Sequence, residues 1–106
     1  MKGDERELLR ARSAAIFGNR YVAEVVLAVA ELAPRTEDQV TVRMLARRTG
    51  LTDSLVRPVI KRLVQADVLR PLPQQRPRGA SYHQIHFGQG VWEALMRTCT
   101  LLRQSS

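Results

Sequence analysis

The sequence predicts a mainly α-helical fold with one small β-hairpin. Two observations carry this. Five segments repeat apolar residues at spacings of three and four, and only residues 68–87 read as two strand-forming runs around a turn rich in Pro, Gln and Arg. The length of 106 residues adds a third constraint, since it allows one domain with a modest single core. With 44% hydrophobic but only 5% aromatic residues, that core is expected to be aliphatic, built from Val, Leu and Ala. The expected organisation is a helix over 1–17, a central unit over 18–87 and a closing helix over 88–106.

Residues 4–16 carry Leu8, Leu9, Arg12, Ala15 and Ile16 at helical spacing, with Asp4, Glu5 and Glu7 at the positive end of the macrodipole. Phe17-Gly18-Asn19 interrupts that helix, and Asn19 can cap the next one. Val22, Val25, Val26, Val29, Leu32 and Ala33 form a second apolar stripe that ends before Pro34. Val40-Thr41-Val42 is β-branched throughout, enough for a very short strand. Thr41 can cap a third helix with Met44 and Leu45 turned inward, and Gly50 supplies the left-handed residue that a sharp turn requires. Leu51 is expected to be buried at that turn. Thr52 caps a fourth helix, residues 52–66, with Val56, Val59, Ile60, Leu63 and Val64 as its core stripe. Strands over 68–72 and 81–87 flank the turn 73–80. After Gly88-Gln89-Gly90, a last helix follows with Val91, Trp92, Leu95, Met96, Cys99 and Leu102 on one side.

The net charge of +7 is local to one stretch. Residues 43–78 hold nine basic side chains (Arg43, Arg47, Arg48, Arg57, Lys61, Arg62, Arg70, Arg76, Arg78) against Asp53 and Asp67, while the rest of the chain balances. A phosphate backbone is the commonest partner for such a surface, because each neutralised phosphate releases condensed counterions. Fifteen of the seventeen basic residues are Arg, which suits bidentate contact with phosphate and guanine but also follows from codon bias in a GC-rich genome.

Two short helices joined by a Gly turn make a helix-turn-helix unit, and the hairpin after it makes a wing. The run Val42 to Leu69 resembles the winged helix-turn-helix of bacterial transcriptional regulators of the MarR, ArsR and PadR groups. The resemblance lies in Ala46, Gly50 four residues on, the Leu51-Thr52 cap, the spacing of Val56, Ile60 and Leu63, and the closing Gln65-Ala66-Asp67-Val68-Leu69. The group is not assignable. Asp67 stands where such regulators usually have Gly, and Asp is among the better substitutes in a left-handed conformation. Pro58 falls near the second turn of the fourth helix, where it removes a hydrogen bond, unless Asp53 or Ser54 is the true cap and the helix starts later.

The resemblance implies a DNA-reading geometry with the helix 52–66 in the major groove and the wing 73–80 in the minor groove. On that helix Arg57 is the expected base reader and Ser54 touches a base or phosphate, while Lys61 and Arg62 meet the backbone. Arg43, Arg47 and Arg48 are expected as backbone clamps, and Arg76 and Arg78 as the wing pair. Leu8, Leu9, Ile16, Trp92, Leu95, Met96 and Leu102 offer more apolar surface than a small winged core can cover, which predicts a homodimer on a pseudo-palindromic operator. The function expected is a sequence-specific regulator of double-stranded DNA, a homodimeric repressor in the cytoplasm at the nucleoid. The alternatives are a winged module for protein assembly or non-specific nucleic-acid binding, and an effector-gated sensor whose ligand sequence cannot name.

Other chemistry finds little support. His83 and His86 lie three apart on a predicted strand and point to opposite faces, so no metal or other cofactor is expected. Cys99, on an apolar stripe, reads as a structural thiol. No Ser-His-Asp set, phosphate loop or carboxylate pair is placed for catalysis, so no enzyme is predicted, and no export signal or membrane span is read.

Overall fold

A computed structural model describes residues 1–74 and 79–104. In chain order the elements are helix α1 (Gly3–Phe17), helix α2 (Val22–Leu32) with a 3-10 turn at Ala33–Arg35, strand β1 (Gln39–Val40), helices α3 (Val42–Thr49) and α4 (Asp53–Gln65), strands β2 (Leu69–Pro71) and β3 (His83–Ile85), and helix α5 (Val91–Arg103). The mainly helical fold with one hairpin is thus the fold observed.

Helix α2 is central because its first eight residues have no solvent face. Every residue from Val22 to Val29 is buried, and α1, α3, α4 and α5 all touch it. Only Glu24 brings charge inside, at 6% exposure. Arg10 on α1 answers it, Nε donating to one carboxylate oxygen at 2.6 Å and Nη2 to the other at 3.4 Å. That contact raises the Arg10 pKa above its ordinary value. The guanidinium also lies 5.2 Å from the centre of the Tyr21 ring.

The chain turns by 107° between α1 and the segment beginning at Val22. Gly18 makes the turn in the left-handed region, φ 71°, with its N–H on Ala14 O. Ser13, fully buried, pins the corner from inside: its hydroxyl donates to Asn19 O at 2.7 Å and accepts from Ala23 N at 3.0 Å. Asn19 does not cap α2 directly; its Oδ1 accepts from Tyr21 N at 2.8 Å, one residue before the helix.

The helix-turn-helix forms as its residues require. Thr41 Oγ1 accepts from Met44 N at 3.1 Å to cap α3, and Gly50 closes it at φ 78°. Val40 is a strand residue, but Thr41 and Val42 are taken by the start of α3, so the predicted strand shifts back to Gln39. Thr52 occupies the N-cap of α4 without a side-chain cap bond; its hydroxyl meets that of Ser54 at 3.0 Å. The helix begins at Asp53, so Pro58 is interior, and the later start that would have placed it in the first turn is not adopted.

At the other end of α4, Asp67 takes φ 59°. Its N–H reaches Val64 O at 3.0 Å and the next N–H, of Val68, reaches Leu63 O at 2.9 Å, both bonds of a Schellman motif. Asp67 therefore does what Gly commonly does there.

The sheet has the order β1-β3-β2, antiparallel throughout. Leu69 pairs with Ile85 and Pro71 with His83, while Val40 pairs with the other edge of His83. The predicted wing strands are trimmed to three residues each, yet hydrogen bonds from Leu72 N to Tyr82 O and from His86 N to Val68 O extend the ladder beyond them.

Ser13→Ala would leave the buried Ala23 N–H and the half-buried Asn19 carbonyl without their partner, a cost of about 1–3 kcal/mol. At this size each kcal/mol lowers the melting temperature by roughly 4–8 °C. Thermal denaturation followed by circular dichroism measures the loss, and an unchanged midpoint would mean that the corner does not depend on Ser13.

Candidate nucleic-acid interface

The outward face of α4 carries Asp53, Ser54, Leu55, Arg57, Pro58, Lys61 and Arg62, all exposed, opposite the buried Val56, Val59, Ile60 and Leu63. Arg57 stands one turn after Asp53, at 3.8 Å, a solvent-exposed pair of little strength. It is available to exchange that partner for another. Lys61 follows one turn further along the same face.

The first two turns of α3 and α4 and the base of the wing enclose a concavity of about 370 Å³, lined among others by Thr41, Arg43, Asp53, Arg57 and the wing residues Gly79 to Ser81. Arg43 and Arg57 therefore face one space from two helices. Arg47 lies one turn beyond Arg43 on the exposed side of α3. The expected contacts Arg76 and Arg78 lie outside the described residues.

Three other cations of the basic stretch, among them the expected contacts Arg48 and Arg62, have partners within the chain. Arg48 pairs with Glu31 of α2. Arg62 Nη1 donates to Phe17 O at 3.0 Å and Nη2 to Gly18 O at 3.4 Å, at the C-terminal end of α1. Arg70 folds onto Asp67 with bonds of 3.0 and 3.1 Å, which hold the Asp67 carboxyl below the usual carboxylate range. His86 Nδ1 meets the same corner, 3.1 Å from Asp67 O and 3.4 Å from its carboxylate. Sequence reasoning missed these contacts. One signal was present for Arg62: α1 has no basic residue in its last turn to face its own terminal carbonyls.

The apolar candidates divide. Leu9 at 1% and Trp92 at 4% exposure belong to the chain's own core, so their place among residues free to meet a partner is corrected: the inner stripes of α1 and α5 close over α2. Leu95, Met96 and Leu102 are half-buried against the same core. Leu8 and, at 62%, Ile16 stay exposed on α1, and Leu101, which the stripe reading passed over, stays exposed on α5.

Among the described residues, no three of His, Cys, Asp and Glu come together as a metal-holding group. His83 is partly buried, and burial lowers its pKa. Cys99 is buried, which pushes its thiol up to about 12. No single helix among the described residues is long and apolar enough to cross a membrane.

A Gly-turned helix pair with the second helix exposed, followed by a hairpin whose base flanks it, defines a winged helix-turn-helix domain. No protein-family model matches the chain, and no curated protein sequence does. Solved structures do share its fold. MarR from E. coli in the apo form superposes with a TM-score of 0.65 at 15% identity, over 96% of this chain and 70% of that one. MarR complexed with operator DNA gives 0.60 at 15% identity over 93% and 65%. MepR, a transcription regulator of the Staphylococcus aureus multidrug efflux pump MepA, gives 0.61 at 9% identity over 94% and 68%. The fold is that of the MarR-type winged-helix regulators, and the chain spans about two thirds of their length.

Native Cys99 is expected to stay unmodified by a thiol reagent at pH 8 and to react fully once the chain is unfolded, because only the thiolate attacks. Mass spectrometry of the labelled protein with and without denaturant checks this; rapid native labelling would contradict the burial.

Proposed function

We propose that the protein is a sequence-specific regulator that binds double-stranded DNA as a homodimer and acts as a repressor at the nucleoid. One observation carries the reading: Arg57 on the exposed face of α4 and Arg43 on α3 line a single concavity with the base of the wing. In such a domain α4 enters the major groove, and an Arg near its N-terminus can bond O6 and N7 of one guanine together. Arg43, Arg47 and Lys61 take backbone phosphates, Ser54 a base or phosphate, and Arg76 and Arg78 the minor groove. That MarR was solved on operator DNA with this fold supports the assignment of α4. We assign the chain no catalytic role.

The proposed dimer forms through the exposed Leu8 and Ile16 of α1 and Leu101 of α5, with Leu95, Met96 and Leu102 at its margin. A twofold axis there sets two copies of α4 about 34 Å apart, one turn of DNA, and calls for a pseudo-palindromic operator.

Selection from random duplex DNA tests the regulator reading. The wild type is expected to enrich one pseudo-palindromic motif, and Arg57→Ala to lose about 1–3 kcal/mol of preference at one base pair of each half-site. Enrichment of no motif, or equal binding to all sequences, would favour a module for assembly or non-specific coating instead. The dimer has its own test. Changing Leu8 and Ile16 together to Glu is expected to convert a dimeric wild type to a folded monomer in sedimentation equilibrium, with unchanged helical circular dichroism; a monomeric wild type would sink the twofold arrangement.

A further inference from the structure

We infer that Arg62 is a positioning residue, which fixes the angle of α4 against the corner between α1 and α2 and so directs Arg57. The last carbonyls of a helix lack intrahelical donors and carry the negative end of its macrodipole. In α1 that end has no basic residue of its own. Arg62, 45 residues on from Phe17, supplies the cation: its two terminal nitrogens donate to Phe17 O and Gly18 O at 3.0 and 3.4 Å. A planar guanidinium suits two neighbouring acceptors where an ammonium offers a point charge.

The surroundings show why this bond matters. Between the C-terminal half of α4 and the starts of α2 and α5 lies a mainly apolar groove of about 510 Å³, lined by Phe17, Val22, Leu63, Val68, Leu95 and Arg62 among others. The buried Val59, Ile60 and Leu63 hold the inner side of α4 to the core, and beside the groove Arg62 adds a polar tie from its outer side to the end of α1. The chain uses the same device at the end of α5, where Arg12 Nη1 donates to Leu102 O at 2.8 Å and Gln104 O at 3.0 Å. Neighbouring Lys61 has no comparable bond among the described residues and faces outward.

The consequence for DNA rests on the regulator reading above, whereas the tether does not, so two measurements separate them. In the DNA-free protein, residual dipolar couplings of α4 and α1 report their mutual orientation. Arg62→Gln is expected to shrink the α4 couplings relative to those of α1, and Arg62→Lys to restore part of them. Should Arg62→Gln not fold, a change in the Arg62→Lys couplings supports the tether and wild-type couplings in that variant overturn it. Couplings of α4 that stay at wild-type values in a folded Arg62→Gln overturn it as well.

The second measurement is affinity against salt on the selected duplex. Arg62→Gln is expected to weaken it about 10- to 100-fold, the worth of one bidentate guanine contact, with the salt slope unchanged. Lys61→Gln is expected to lower that slope by roughly one, as loss of a phosphate contact does. A matching drop in slope for Arg62→Gln, with equal weakening on all sequences, would make Arg62 a phosphate ligand and overturn its positioning role. If the protein binds no duplex at all, the regulator reading fails alone and the couplings decide the tether.

Discussion

The burial of α2 on all sides from Val22 to Val29 is the constraint from which the rest of the molecule follows. A helical stretch buried all round needs neighbours around its whole circumference, and the chain provides α1 and α5 as a scaffold with α3 and α4 beside them. Placing Glu24 within that helix makes the arrangement more exacting. A buried carboxylate is tolerable only with a well-placed cation, so α1 must present Arg10 at one particular height and rotation. The buried Ser13 hydroxyl fixes the same corner. The position of the helix-turn-helix is thus set by helices that carry none of its proposed DNA contacts.

The basic stretch holds fewer unpartnered cations than its charge implies. Arg48, Arg62 and Arg70 are each engaged within the chain, by Glu31, by the end of α1 and by Asp67. Among the described residues of the two helices, Arg43, Arg47 and Lys61 have no such partner, and Arg57 has only its weak exposed pair with Asp53. A regional charge count treats all of these alike. The fold divides them into groups that shape the domain and groups that can meet a partner.

What was legible in the sequence was local. Thr41, Gly50 and Asp67 each act within a few residues, through a cap bond or a left-handed conformation, and each does so where its chemistry indicates. The stripe of α4 was equally clear. Contacts across long separations were not: nothing near Arg62 in the chain points to Phe17, and nothing in Gln39-Val40 shows that β3 lies between it and β2. Periodicity found the apolar stripes of α1 and α5 without revealing which residues the chain's own core would take. Leu9 and Trp92 went inward, and Leu101 stayed out. The candidate site was read to the same depth, with Arg57 and Arg43 found as cations and their meeting in one concavity supplied only by the fold.

The middle place of β3 has a further consequence, for how such a domain diversifies. Because β1 holds β3 from the side away from the wing, its register is set by two neighbours, independently of the loop that joins it to β2. Lengthening a loop adds only about 0.6 kcal/mol for each doubling. Insertions and exchanges between the two strands are therefore cheap for folding, and the wing is where a lineage can revise what the domain touches while inheriting everything beneath it unchanged.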